Sequence, residues 1–232
     1  MRRTIAFAII MCSILAWPQP AAALHLIRQT RAVTTSGDQI LTDGVNADMY
    51  VYPKPAGLDA DKVCSIYGGL DNGDFLETGY FWRTTYSPSS PMCFNHRYIS
   101  SIDTHYETEW WGGYTPGTYV DWTLEKVPST TTWRVVVAGT LKGTWTSLGY
   151  GSVRAVVAGE RYSYSYHNLG SWKYLTYRGW NSSTWYYWPA RENLYYPAPP
   201  NNGNPANDPD YWFNDVDFGS PYHWLKLSYQ GG

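Results

Sequence analysis

The stretch D-F-L-E-T-G-Y-F-W-R, residues 74–83, alternates like a β-strand and places an acid where a strand usually buries apolar side chains. Successive strand residues point to opposite faces, so Phe75, Glu77, Gly79 and Phe81 share one face. A carboxylate between aromatic rings loses hydration unless it is paired, hydrogen-bonded or protonated, and such groups concentrate at functional sites. Glu77 is therefore the first candidate functional residue, and Gly79 beside it would leave room for a substrate backbone.

Short β-strand patterns recur along the rest of the chain, and turn signals separate them about every 8–12 residues. Besides the opening stretch, the predicted strands cover residues 49–52, 63–69, 97–111, 118–127, 132–138, 141–145, 151–166, 171–178, 184–188, 210–218 and 222–229. The turn Asp71-Asn72-Gly73 predicts a hairpin into the opening stretch, and the Pro/Asn-rich residues 189–210 are predicted to be a loop. Because no segment shows sustained helical periodicity, we predict an all-β fold, an antiparallel, jelly-roll-like β-sandwich.

The first 23 residues have the pattern of a secretory signal peptide. Two arginines precede an apolar run from Ile5 to Trp17, and A-A-A follows, so cleavage is expected after Ala23. The apolar run is too short to span a membrane. We therefore expect a secreted, extracellular protein, with a twin-arginine export route open as an alternative.

Removal of residues 1–23 leaves 15 basic against 19 acidic residues, a net charge of −4 with neutral histidines. This balance and the lack of a basic patch argue against a nucleic-acid partner. We assign residues 24–61 to an N-terminal arm or short pro-segment and residues 62–232 to one β-sandwich domain. A monomer without a membrane partner is expected.

Two cysteines, Cys64 and Cys93, remain in the mature chain. In an exported protein they are expected to form a disulfide, closing a loop of about 30 residues and stabilising the fold by about 3–4 kcal/mol. The histidines lack metal-ligand spacing, so no metal site is predicted. The chain also lacks a G-x-S-x-G motif, so nothing supports a serine hydrolase.

A second acid ends an apolar strand face beside a glycine, in V-V-A-G-E, which ends at Glu160. If Glu77 and Glu160 lie on neighbouring strands and face the same side, one carboxyl would be held protonated while the other is ionised. The ionised carboxylate could then take a proton from water, and the protonated one could donate to a leaving group. The alternative is that both acids are exposed or paired with Arg83, Arg154 or Arg161.

These motifs resemble the neprosin family of secreted glutamic peptidases. Glu77-Thr78-Gly79-Tyr80 matches the family's E-x-G-aromatic strand, and Gly159-Glu160 matches its later G-G-E strand, with Ala158 where the family has glycine. Between them lie an aromatic E-W-W stretch, a G-T-Y segment leading into an alternating strand, and a Trp-centred V-V-V strand. The resemblance spans roughly residues 63–229.

The resemblance implies a jelly-roll-like β-sandwich in which Glu77 and Glu160 form the catalytic pair. It also implies a polypeptide substrate, activity at acidic pH, no cofactor and a preference for cleavage after proline. The chain departs from the plant enzymes because at most about forty mature residues precede Cys64, where those enzymes carry a long inhibitory pro-domain.

Aromatic residues supply the remaining candidates. Trp110, Trp111 and Tyr162 are predicted to line a substrate groove together with Gly79. The competing interpretation is a carbohydrate-binding or cell-surface binding β-sandwich without catalysis, whose exposed rings, for instance Trp185, stack on sugars. A third is a family member that kept the fold and lost activity. Carboxyls separated by room for one water or one scissile carbonyl favour the enzyme, and carboxyls on opposite faces favour the lectin.

Overall fold

The computed structural model describes residues 26–54, 62–70, 72–82, 90–146, 152–161, 168–195, 211–218 and 223–229. These ranges contain fifteen strands, and every strand pair in them is antiparallel. The strands are β1 Leu26–Val33, β2 Leu41–Tyr50, β3 Lys62–Gly69, β4 Phe75–Trp82, β5 Met92–Ile99, β6 Thr104–Trp111, β7 Tyr119–Lys126, β8 Trp133–Val137, β9 Thr140–Trp145, β10 Val153–Arg161, β11 Asn168–Gly179, β12 Trp185–Tyr187, β13 Ala190–Tyr195, β14 Tyr211–Asp217 and β15 Trp224–Tyr229. No helix within these ranges is long and apolar enough to cross a membrane.

The strands form two layers, which confirms the predicted all-β sandwich. The first sheet has the order β13-β1-β10-β3-β4-β5-β6, and the second has the order β14-β15-β11-β2-β7-β8-β9, with β12 beside β11. A short pairing of β10 with β2, through Val153 opposite Thr42, joins the two sheets at one corner. The opening stretch therefore lies inside the first sheet, between β3 and β5.

The core fills the space between the two sheets with one face of each. Its largest fully buried side chains include five tryptophans, at positions 82, 122, 133, 172 and 188. The indole N–H of Trp172 on β11 donates to the carbonyl of Ser65 on β3 at 3.1 Å, so a hydrogen bond crosses the layers. Large rings bury much apolar area per residue, so these five tryptophans supply a large part of the core.

The predicted strand at residues 97–111 is two strands. β5 and β6 are separated by a short 3-10 turn, Ser100–Ile102, and Asp103 takes a left-handed conformation with φ 46°. A carboxylate side chain tolerates this conformation better than most, so the chain reverses without a glycine or proline to signal it. The resulting hairpin folds β6 onto β5 as the edge of the first sheet.

The predicted loop at residues 189–210 begins with a strand. β13 pairs with β1, a segment that the sequence placed in an N-terminal arm. β2 also lies in residues 24–61, and it occupies an interior position of the second sheet between β11 and β7. The fold therefore shows no boundary at residue 62. Removal of a pro-segment stays a prediction, and the signal peptide at residues 1–23 lies outside the described residues.

The predicted disulfide is wrong. Both Cys64 and Cys93 are buried and are not joined to each other. Cys64 lies opposite Tyr80 on β4, and Tyr80 lies opposite Cys93 on β5, so a whole strand separates the two thiols. Two strand spacings are about 10 Å, whereas a disulfide needs Cα atoms within about 7 Å.

Candidate functional site

Glu77 lies on the side of the first sheet that faces away from the core. Its side chain is nevertheless buried, with 6% of the residue exposed. The Ser65 hydroxyl on β3 donates to Glu77 Oε1 at 2.5 Å, and Ser65 is itself fully buried. A buried carboxylate with a dedicated hydrogen-bond donor is held in one orientation. We call this side of the first sheet the Glu77 face.

Two histidines extend the contacts of Glu77 toward solvent. His96 lies directly opposite Glu77 in the β4–β5 ladder, and its Nδ1 is 3.6 Å from Glu77 Oε2. His96 Nε2 and His105 Nδ1 share a hydrogen bond of 2.8 Å, and the two rings stack. The polar series Ser65, Glu77, His96, His105 therefore runs from a buried hydroxyl to an exposed imidazole. No cluster of three or more potential metal ligands occurs among the described residues.

The floor beside Glu77 is made of small residues. Gly79, Ser65 and Ala158 pair in one row across β4, β3 and β10. A Cβ on Gly79 would collide with the Cys64 carbonyl and would lie 2.8 Å from the Ser65 Cβ. The close approach of β3 to β4 is thus what requires glycine here. Its predicted contact with a substrate stays a prediction.

Glu160 lies at the far side of this floor. Its backbone pairs with Val63 on β3, and Val63 pairs with Phe81 on β4. Directly paired residues share a face, as do alternate residues of one strand, so positions 77 and 160 belong to the same face of the sheet. The side chain of Glu160 lies outside the described part of the chain, as does the whole of Tyr162.

The two predicted groove tryptophans are on opposite faces. Trp110 packs toward the core, with its ring centroid 6.4 Å from that of Trp122. Trp111 is 52% exposed. It pairs with Met92 on β5, and Met92 pairs with Phe81 on β4, so Trp111 lies in the same cross-strand row as position 160. Trp111 can therefore contribute to the Glu77 face, whereas Trp110 cannot.

Comparison with solved structures finds a fold likeness across most of the chain. Scytalido-glutamic peptidase, solved with a transition-state analogue inhibitor, superposes with a TM-score of 0.52 at 9% identity, covering 87% of this chain and 96% of that one. The chain has a glutamic-peptidase-like fold. A weaker likeness is to a Bacillus licheniformis β-glucanase, with a TM-score of 0.39 at 11% identity, covering 88% of this chain and 78% of that one. Another is to sheep galectin-11, with a TM-score of 0.37 at 12% identity, covering 72% of this chain and 96% of that one. No family model and no curated protein matches the sequence.

On this glutamic-peptidase-like fold, the sequence identified Glu77 but missed two of its neighbours, Ser65 and His96. The signal for Ser65 was the predicted hairpin, because its turn fixes Tyr67 opposite Glu77 and places Ser65 one step away on the same face. The contact of His96 with Glu77 could be recognised only from the register of β5. That register was not predictable, because β5 follows a segment that contains two prolines and has no regular pattern. Histidine spacing along the sequence cannot reveal a contact across strands.

Proposed function

We propose that this protein is a secreted glutamic peptidase that hydrolyses polypeptides at acidic pH with Glu77 and Glu160, as in the neprosin family. The observation that carries the proposal is the buried Glu77 carboxylate, fixed by the Ser65 hydroxyl on an outward face of a glutamic-peptidase-like fold. Burying a carboxylate carries a desolvation cost, and groups buried in this way concentrate at functional sites, so a chemical role explains Glu77 better than a structural one.

In the proposed mechanism the pair holds one proton. The ionised glutamate takes a proton from water as the water oxygen bonds to the carbonyl carbon of the scissile amide. The protonated glutamate donates its proton to the amide nitrogen as the C–N bond breaks, which releases a carboxylic acid and an amine. Activity is expected to fall as the pH rises because the protonated glutamate then loses the proton that the leaving nitrogen needs.

Strand geometry supports a substrate between the two acids. Positions 77 and 160 are two strands and four residues apart, so their Cα atoms are about 16 Å apart on regular strand spacings. A Cα separation of this size leaves room for a water and the scissile amide on the face between positions 77 and 160. The small floor of Gly79, Ser65 and Ala158 lies beneath that interval.

The test compares three glutamine variants on heat-denatured casein from pH 3 to pH 8. Glu77→Gln and Glu160→Gln are each expected to lose at least about 10³-fold in kcat/KM while keeping the far-UV circular dichroism of the parent. Glu107→Gln is the control, because Glu107 is exposed and lies opposite His96 on the same face. Full activity of either Glu77→Gln or Glu160→Gln would refute the pair.

The substrate class is tested with short peptides. We propose unfolded polypeptide as the substrate and, from the family resemblance, cleavage after proline. A matched set of peptides that differ only at the residue before the scissile bond should give the highest kcat/KM with proline. Equal rates across the set would contradict the proline preference and leave the glutamate pair untouched.

A further inference from the structure

The outer face of the second sheet carries polar and aromatic side chains that the proposed peptidase does not use. Lys173, Asp48 and Asp121 pair in one row across β11, β2 and β7. One end of this face opens into a cavity of about 370 Å³, within the usual size range of ligand pockets. Its lining includes Tyr50, Tyr52, Tyr119, Ser171, Lys173 and Trp224.

The aromatic rings at this end are held in place. The Trp224 indole N–H donates to Ser171 Oγ at 2.9 Å, and Tyr119 Oη shares a hydrogen bond of 3.0 Å with the same oxygen. The Lys173 ammonium lies 4.2 Å from the Trp224 ring centroid and 4.4 Å from that of Tyr119. Rings fixed before a ligand arrives lose little conformational entropy on binding.

Two carboxylates lie in the middle of the face. Asp48 and Asp121 are directly opposite each other on β2 and β7. Asn46 donates to Asp121 Oδ1 and, at 2.8 Å, to Thr123 Oγ1, so amide, carboxylate and hydroxyl groups form one network. Such a network offers both donors and acceptors to a ligand.

The other end of the face opens into a second cavity of about 360 Å³, lined by Asn46, Thr123, Glu125, Thr176 and Trp185. Two ion pairs neutralise the Glu125 carboxylate there: Arg134 Nη2 lies 2.6 Å from Oε1, and Arg178 Nη1 lies 2.7 Å from Oε2. From Tyr50 to Gly44, β2 advances about 20 Å between the two aromatic ends. The two cavities and the carboxylate row between them lie on this one outer face along β2 and β7, and we call them together the groove.

We propose that this groove binds a neutral oligosaccharide chain, independently of the Glu77 face. The β2 backbone groups in the groove are paired with β7 and β11, so a ligand meets side chains. An extended peptide would find few partners for its own backbone, whereas sugar hydroxyls both donate to carboxylates and accept from amide and ammonium groups. Lys173 and Lys226, which both line the first cavity, balance the charges of Asp48 and Asp121, so these four groups give no net charge that would select an acidic sugar. The rings at both ends suit the apolar faces of pyranose units.

Native affinity electrophoresis of the full chain tests the proposal. The probes are four soluble neutral polysaccharides, namely a β-1,3-glucan, a mixed-linkage β-glucan, a galactomannan and an arabinoxylan, with polygalacturonate and denatured casein run in parallel. At least one neutral polysaccharide should retard the protein. Trp185→Ala and the nearly isosteric Asp121→Asn should each weaken that binding at least about tenfold.

Tyr106→Ala is the control, because Tyr106 is an exposed ring on the first sheet and its loss should leave binding unchanged. Asp121→Asn keeps the test decisive if Trp185→Ala does not fold. The proposal is overturned if no neutral polysaccharide retards the protein, if only polygalacturonate or casein does, or if Asp121→Asn binds as the parent does.

Discussion

Glu77 contacts a different partner at each oxygen, and this asymmetry predicts a role for His96. Ser65 donates to Oε1, and His96 lies 3.6 Å from Oε2. An imidazole at that distance restricts the orientation of the carboxyl group. Replacing His96 by glutamine should therefore lower kcat by about tenfold and leave KM close to that of the parent.

The measurement is kcat and KM for a peptide substrate, because the loss of a packing contact alone would not lower kcat at an unchanged KM. His105→Asn is the graded comparison, since His105 contacts Glu77 only through His96. If His96→Gln keeps the kcat of the parent, His96 is not a positioning residue for Glu77.

Cys64 and Cys93 are expected to be unreactive thiols even though the sequence predicts export. Burial raises the pKa of Cys93 to about 12, and Lys142 lowers it only in part. Because thiolate is the reactive form, a thiol reagent at pH 8 should label neither cysteine in the folded protein and both after denaturation. The melting temperature should not change when a reductant is added. A mass spectrum with a Cys64–Cys93 linked peptide would contradict the structure.

The alternation of residues 74–83 is enough to predict which face of its strand Glu77 occupies. A period of two identifies an acid on an otherwise apolar face without any knowledge of neighbouring strands. The disulfide prediction failed because it needed the spatial order of β3, β4 and β5, and cysteine count contains no such information. Contacts across strands, such as those of Ser65 and His96, depend on register in the same way.

Strands with alternating burial, such as β7 and β8, were predictable, whereas β1, β13 and most of the interior strand β2 were not. β7 and β8 have alternating burial, which is the pattern that sequence periodicity detects. β1 and β13 are each rich in polar and charged residues, and they pair with each other through an Arg31–Glu192 ion pair of 2.7 Å. Their strand conformation comes from tertiary pairing, which overrides weak local propensity.

The carboxylate pair between β2 and β7 predicts how stability changes with pH. Burial, and to a smaller extent the neighbouring charge of Asp121, raises the pKa of Asp48, while the Lys173 ammonium lowers it in part. Burial also raises the pKa of Asp121, while the hydrogen bond from Asn46 lowers it in part. Because both pKa values are raised, the folded state keeps these two carboxyls protonated to a higher pH than the unfolded state does. The two groups therefore contribute stability to the fold that is present below about pH 4 and is lost as the pH rises.

Asp121→Asn should therefore raise the melting temperature at pH 7 relative to the parent and have a smaller effect at pH 4. Thermal unfolding at both values is the measurement, with the exposed Glu107→Gln as the control. An Asp121→Asn variant that is equally destabilised at both pH values would show that its bond from Asn46 outweighs the repulsion from Asp48.

The molecule as a whole separates its two candidate sites by the full thickness of the sandwich. The Glu77 face is the outer side of the first sheet, and the groove along β2 and β7 lies on the outer side of the second. The tryptophan-rich core separates them. Two packed sheets are about 10 Å apart, so ligands bound to the two outer faces do not touch each other. Both sites should therefore be occupied at once without competition.

If the proposed peptidase and the proposed groove are both correct, a saturating neutral polysaccharide should change kcat/KM for a short peptide by less than about twofold. A second peptide substrate, which shares the Glu77 face, should compete in the same assay and serves as the control. Competitive inhibition by the polysaccharide would place both ligands on one face. Since a short peptide reaches only the Glu77 face, such inhibition would contradict the separation of the sites, while the glutamate variants would still test the chemistry by itself.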